Sequence, residues 1–451
     1  MANRAPGDSR AKLERVFQAA LAAVDARAAV TENIRVEQGV LHVAGAACSP
    51  GTQLVVIAIG KAAAPMAQAI SSLVPERIRT GLVVTKDGHA KGHALSHFEV
   101  LETSHPVPDE RCADAGRRVL ERAADAREDE VLLVLLSGGA SSLISLPPDG
   151  VELDDLARTN ELLLGCGADI GELNAVRKHV SQVSGGRVAA LTGAGRVAVL
   201  AVSDVPGDAI DVIGSGPCAP DPSRYQDALE ILAKYGLSNL VPASVMAHLQ
   251  RGSEGLEPET PKPGDASFAR VEHEIVASNA VAREAALREA TSLGAQALAL
   301  GECLRGEARD VGVRLAALAQ CVENDRPVCL VAGGESVVRL KGDGIGGRNQ
   351  ELALAAAVVL ADTPRSEAVL LAAGTDGTDG PTPAAGGWAD ASTVARGETE
   401  GADARAALDR NDSHSFFEAE GGLFVTGPTG TNVMDLVLVW LPAASESKTG
   451  E

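Results

Sequence analysis

VLLVLLSGGASSL, residues 131–143, is the stretch that decides how this chain is read. Its first six residues, Val131 to Leu136, are all apolar. Such a run is too short to span a membrane and suits a parallel strand buried on both faces. It stops abruptly at Ser137-Gly138-Gly139, and small hydroxyl residues follow at Ser141 and Ser142. Open α/β sheets bind ligands outside the carboxyl ends of their strands, and here the side chains are small enough for backbone amides to reach an anion. A helix starting near Ala140 would add the orphan donors and dipole of its N-terminus. A tight strand-to-helix turn with no ligand accounts for the same residues, so the flanking sequence has to decide.

The same pattern recurs on both sides. QLVVIAIG (53–60) runs into Lys61 and an Ala-rich helix, GLVVT (81–85) ends at KDGH, residues 98–102 end at SHPVPD, and Val197 to Val202 end at SDVPGD. Helical spacing marks 11–30, 109–124, 153–165 and 170–181, and 34–43 reads as a short hairpin or edge pair. Strand and helix alternate, which predicts an α/β fold with a doubly wound parallel sheet. At 252–266 the sequence turns rich in Pro, Gly and Glu (GSEGLEPETPKPGDA), which places a domain boundary there. The expected domains are therefore 1–251 and 267–451. In the second, strands are expected at 273–277, 295–300, 328–332, 336–340, 368–373 and 436–441, with the last a candidate for packing on the first domain. Helices are expected at 279–292, 306–322 and 349–361, and the loop 374–400 has the length of a lid.

Bulk composition narrows the classes. A chain of 451 residues, 45% hydrophobic, is long enough for two or three domains. Only 2% is aromatic, so the core must be made of Ala, Val and Leu, and 48 glycines fit many tight, ligand-facing turns. A net charge of −21 and a pI of about 4.9 would repel a phosphate backbone, which argues against nucleic acid as a partner. The seven cysteines form no CxxC pair and are odd in number, so neither a zinc knuckle nor a disulfide framework is supported. MANRAPGDSRAKLERVF has no apolar signal core, and no apolar run is long enough to cross a membrane. The expectation is a reduced cytoplasmic protein, monomer or homodimer, with no membrane partner.

Several motifs carry chemistry and each has a plainer reading. No Walker A is present, but Lys61 stands at the carboxyl end of a buried strand, either as a phosphate-binding point charge or as a snorkelling surface lysine. Gly342-Asp343-Gly344-Ile345-Gly346-Gly347 fits G-x-G-x-x-G, yet Arg348-Asn349-Gln350-Glu351 follows at once where a Rossmann helix would be apolar. An arginine after a glycine loop suits bidentate phosphate or carboxylate contact better. Asp204 and Asp208 in SDVPGD, and Asp376 and Asp379 in GTDGTDG, follow buried strands; they suit Mg²⁺ or a substrate hydroxyl, or simply Asx turns. Arg177 and Lys178 are a substrate carboxylate anchor or a helix-end charge pair. His89, His105 and His179 lack metal-ligand spacing and read as structural. No GxSxG elbow is present, which disfavours an α/β-hydrolase triad.

LSGGASSL, NAVRKHVSQVSGGRVA, SDVPGD, IGSGP, GGE, GGRNQELALA, GTDGTDGP and GPTGTNVMDL occur in that order. Together they resemble the glycerate 2-kinase family, the two-domain group with a carboxyl-terminal MOFRL domain that is often labelled hydroxypyruvate reductase in bacterial genomes. The resemblance spans nearly the whole chain. It implies a Rossmann-like amino-terminal domain, a smaller α/β MOFRL-type domain, and an active site in the interdomain cleft. The implied reaction is ATP-dependent phosphorylation of the 2-hydroxyl of D-glycerate to 2-phosphoglycerate, assisted by Mg²⁺, with the family's catalytic cations falling on Lys61 and Arg348. On this expectation Ser137, Gly138, Gly139, Ser141, Ser142, Gly214, Ser215, Gly216, Glu335 and Asn349 meet the nucleotide. Arg177, Lys178, Asp204 and Asn279 meet the substrate, and Asp204, Asp208, Asp376 and Asp379 supply the metal ligands. The other readings are an NAD(P)H-dependent hydroxypyruvate reductase, resting on the 342–347 glycines, and a non-catalytic sugar-acid binding protein.

Overall fold

The computed structural model describes residues 6–362 and 367–443. The chain divides into two units: Ala26–Val276, and a second that joins the residues up to Asp25 to those from Ala277 onward. In the first, six strands form one sheet: β1 (Leu54–Ile59), β2 (Ile78–Lys86), β3 (Phe98–Thr103), β4 (Val131–Leu136), β5 (Arg196–Val202) and β6 (Val271–Ala277). Their order is β3-β2-β1-β4-β5-β6, and β1 to β5 pair in parallel. Every residue of β1 and β4 is buried, as the unbroken apolar runs required. Val55, Ile57 and Ile59 pack with Leu132, Val134 and Leu136 in one cluster that also takes in Val119 and Ala123. Each Val, Ile or Leu side chain removed from water there contributes roughly 1.5–3 kcal/mol.

The crossovers include α1 (Ala63–Leu73), α2 (Glu110–Ala124) and the single turn α3 (Ala140–Leu143). Asp109 starts α2 by accepting the amide of Arg111 at 3.1 Å. α4 (Leu153–Gly165) and α5 (Ile170–His179) pack with two further helices, 225–234 and 243–253, around Leu163, Val176, Tyr225 and Leu249. Residues 34–37 and 40–43 pair as the expected hairpin.

In the second unit, β7 (Gln296–Leu304), β8 (Val328–Gly334), β9 (Val369–Gly374), β10 (Gly386–Asp390), β11 (Leu423–Phe424) and β12 (Asp435–Leu441) form a mixed sheet ordered β7-β8-β12-β9-β10-β11. α6 (Asn279–Ser292), α7 (Ala308–Cys321) and α8 (Arg348–Ala361) belong to this unit. So does the helix Pro6–Ala23, whose Phe17 meets Phe424 edge to face at 5.3 Å and whose Arg10 bonds Asp390 at 2.9 Å. β12 runs antiparallel to both neighbours, so its first residue, Asp435, lies opposite Gly334 and Gly374, the last residues of β8 and β9.

Four expectations change. The strand expected at 273–277 is β6 and completes the first sheet, so the units part at Val276 and not in the Pro-rich 252–266 segment. The last strand, expected as a candidate for the first domain, is β12, a central strand of the second sheet, where a continuous apolar run is buried on both faces. Residues 336–340 make one isolated bridge, Val337 to Glu307, because only part of the segment is apolar and Val337 and Leu340 are exposed. The stretch 374–400 holds β10 and a helix, Thr393–Thr399, in place of an open loop.

Candidate functional site

The first sheet reverses direction between β1 and β4, the position where open α/β sheets leave a crevice for a ligand. Both strand ends there are built from the motifs singled out in the sequence. Gly60 adopts φ +124°, and its missing side chain makes room for Ser137. Lys61 follows, its amide donating to Gly138 O at 2.9 Å and its carbonyl bonded to His89 Nδ1 at 3.1 Å. The Ser137 hydroxyl is buried and accepts the amide of Ala62 at 3.0 Å, so this side chain ties the turn and faces away from any ligand. Ser142 and Leu143 donate their amides to Gly139 O. The amides of Gly138, Gly139, Ala140 and Ser141 have no hydrogen-bond acceptor among the described residues. α3 is only four residues long, so those donors belong to the loop itself.

A cavity of about 330 Å³ opens beside this loop. Gly139, Ser141, Ser142, Ser215 and Arg177 line it together with Asn160 and His105, while Pro106, Val107, Leu156 and Leu164 make an apolar wall. Arg177, on the last turn of α5, is largely buried, and among the described residues its one hydrogen bond runs from Nε to Asn160 Oδ1 at 2.8 Å. Burial lowers its pKa, since no carboxylate offsets the desolvation. Lys178 is different: it is buried and its Nζ pairs with Asp211 at 3.0 Å and Asp221 at 3.4 Å. That ion pair holds α5 in place and turns Lys178 away from the cavity. Ser215 donates to Asn174 at 3.0 Å, and the left-handed residues Gly214, Ser215 and Gly216 seat this turn against Ala140 and the 185–186 backbone.

After β5, Asp204 is half-buried, and Asp208, at φ +55°, buries an Oδ1 with no hydrogen-bond partner. Among the described residues no three His, Cys, Asp or Glu side chains gather as a metal-binding group. Mg²⁺ does not need such a cage, because it keeps several waters and takes one or two carboxylates plus substrate phosphates. An orphaned, buried carboxylate oxygen fits that demand.

In the second unit Arg348 opens α8. Its Nε and Nη2 contact Asp435 Oδ2 and Oδ1 at 2.6 and 3.0 Å, and its Nη1 contacts Glu335 Oε1 at 2.7 Å. Asp379 accepts the amides of Asn349 and Gln350 at 3.0 and 2.8 Å and Gln350 Nε2 at 3.0 Å, so its oxygens cap the helix and are not open to a metal. Asp376 Oδ1 accepts the amide and hydroxyl of Thr378, both at 3.0 Å, an Asx turn. Asn349 is buried behind that cap, and Asn279 spends both amide hydrogens on the carbonyls of Val433 and Asp435, at 2.9 and 3.0 Å. The glycines 342, 344 and 346 pack directly against Arg410, Asp412 and Ser413, which explains them without a dinucleotide.

The MOFRL family model matches residues 328–435, and a model described as a domain of unknown function, DUF4147, matches residues 12–250. A glycerate 2-kinase from Pyrococcus horikoshii is 39% identical over 430 residues, covering 94% of this chain and 95% of its own. The chain belongs to the glycerate 2-kinase family. A D-glycerate 2-kinase from Thermotoga maritima is 43% identical, covering 86% and 90% of the two chains. The crystal structure of a glycerate kinase from Thermotoga maritima matches with a TM-score of 0.81 at 39% identity, over 96% of this chain and all of the other.

Two residues of this glycerate 2-kinase family member escaped the sequence reading. His105, read as structural, lines the cavity, with its ring 3.0 Å from where a side chain on Gly139 would begin. Burial and then the positive charge of Lys61 push its pKa down to about 4, so its imidazole is neutral at pH 7. The signal was its place at a strand end, in SHPVPD after β3. Asp435, the other, stands inside GPTGTNVMDL; its signal is that it is a lone carboxylate heading an apolar strand. His179, by contrast, is the buried structural residue expected, bonded to Ala175 O at 2.6 Å and Glu259 at 2.8 Å.

Proposed function

We propose that this chain transfers the γ-phosphoryl group of ATP to the 2-hydroxyl of D-glycerate, giving 2-phosphoglycerate and ADP. The observation that carries the reading is the row of four unclaimed amides, Gly138 to Ser141, beside Lys61 at the strand-order switch. Phosphoryl transfer asks a protein for positioning and charge compensation more than for covalent chemistry. The amides hold phosphate oxygens, and Lys61 and Arg348 supply the two cations that offset charge on the transferring group. The apolar wall of the cavity suits the bulk of a nucleotide, and Arg177, with no carboxylate partner among the described residues, suits the carboxylate of glycerate.

The acceptor oxygen forms the new bond to γ-phosphorus as the bond to the β,γ-bridging oxygen breaks, and ADP leaves with that electron pair. The hydroxyl proton needs an acceptor, and Asp204 is the carboxylate proposed for it. Asp208 is the proposed ligand of Mg²⁺, which, when bound, offsets phosphate charge. Relatives named glycerate 2-kinase at 39% and 43% identity support the same reaction.

The test runs two reactions side by side on the purified protein. Expected is ADP release that depends on D-glycerate, ATP and Mg²⁺, with no oxidation of NADH or NADPH by hydroxypyruvate. Nicotinamide oxidation without ADP release would overturn the proposal.

A further inference from the structure

Arg348 is held at both ends by carboxylates that nothing in the proposed chemistry uses. Its backbone enters α8 under the cap of Asp379. Its guanidinium lies in the two-oxygen grip of Asp435, whose side chain is 1% exposed, against 40% for Glu335 on the other side. Its cross-strand neighbours on both sides are glycines, Gly334 and Gly374, and a side chain on Gly374 would begin 2.7 Å from Thr378 O and 3.5 Å from Asp435 Oδ1. Asn279 fixes the Asp435 carbonyl from behind at 3.0 Å. Each of the three guanidinium nitrogens therefore faces one acceptor, and Nη1 and Nη2 each keep a second N–H.

We propose that Asp435 is the positioning residue for Arg348, holding Nε and Nη2 so that the remaining N–H groups are aimed at the transferring phosphoryl group. The proposal rests on the reading of Arg348 as a catalytic cation. A buried bidentate partner restricts a long, flexible side chain to one orientation before substrate arrives, and that preorganisation acts on the transition state more than on binding. Glu335, more exposed and bound to one nitrogen, has no such hold.

The experiment is a double-mutant cycle on the whole chain. Asp435→Asn is expected to lower kcat about 10- to 100-fold while KM for D-glycerate and for ATP changes by less than about threefold. In an Arg348→Ala background the same substitution is expected to cost nothing further, which a general loss of structure would not reproduce. Losses that multiply, or an Asp435→Asn enzyme within about twofold of the parent while Arg348→Ala is impaired, would overturn the role of Asp435 alone. Near-normal turnover in Arg348→Ala would remove the reading of Arg348 itself. Thermal unfolding checks the fold of each variant. Should Asp435→Asn not fold, Asp435→Glu enters the same cycle, with a milder loss of kcat that again vanishes in the Arg348→Ala background.

Discussion

The amide of Ala62 donates to the Ser137 hydroxyl at 3.0 Å, which makes the turns leaving β1 and β4 a single piece of structure. Gly60 completes it, since any side chain there would overlap Ser137, and φ +124° disfavours other residues. Ser137→Ala is expected to cost about 1–3 kcal/mol by leaving a buried amide unpaired. Gly60→Ala should cost more, about 3 kcal/mol or above, and abolish turnover. Urea unfolding of the two variants measures both; a Gly60→Ala protein as stable as the parent would show that the turn is not locked.

The two cations should separate activity from stability differently. Lys61→Ala and Arg348→Ala are both expected to cut turnover at least about a hundredfold. Lys61 is only partly buried, so its loss should lower the unfolding midpoint less than the loss of Arg348. Arg348→Ala leaves the buried Asp435 without its partner and should also cost about 1–3 kcal/mol. Steady-state kinetics beside denaturant melts tests the pair, and near-normal turnover in either variant would exclude that residue from the chemistry.

Arg177 is predicted to act on the acid. Arg177→Ala should raise KM for D-glycerate at least about tenfold and leave KM for ATP within about twofold. Lys178→Ala should instead lower stability, because Asp211 and Asp221 lose their buried partner. A shift in KM for ATP alone on replacing Arg177 would move this arginine to the nucleotide.

Asp379 should give the stability curve an unusual slope. Burial, and the neighbouring negative charge of Asp435, raise its pKa to about 6 from the ordinary 3.8, although amide hydrogen bonds pull the other way. The folded chain then holds this proton more tightly than the unfolded chain. The resulting stability is fully present below about pH 4 and is lost as pH rises through about 6, by about 3 kcal/mol at most. Asp390 works in the opposite sense. Burial opposes its charge, but Arg396, Ser392 and Arg10 outweigh burial and hold its carboxyl below the usual range. Its contribution is present above about pH 4 and disappears as pH falls further. Denaturant melts from pH 3 to 7 should show the pH 4–6 loss in the parent and not in Asp379→Asn; an unchanged slope would disprove the assignment.

What could be read from the sequence was whatever one strand or one turn encodes locally. The apolar runs of β1, β4 and β5 announced buried parallel strands, and the residues just beyond β1 and β4 meet at the strand-order switch because such sheets put them there. What could not be read was pairing over long distances. β6 follows the Pro-rich segment yet belongs to the sheet before it, and β12 is the last strand yet sits in the middle of its sheet. No local pattern states either fact. Carboxylates raised the same difficulty: Asp208, Asp376, Asp379 and Asp435 look alike in sequence, and only their partners separate an orphaned oxygen, an Asx turn, a helix cap and a clamp.

One unit of this chain is assembled from segments on either side of the other, and the strand at the middle of its sheet is the last in chain order among the described strands. During synthesis the segment Ala26–Val276 is complete long before β12 leaves the ribosome, so the first sheet can close while the helix Pro6–Ala23 still lacks its destination. β8 and β9, each buried along its whole length, must wait for β12 to fill the gap between them. A chain cut short before Asp435 would therefore be a half-finished protein with two unpaired apolar strand edges, a species that chaperones and proteases have reason to recognise.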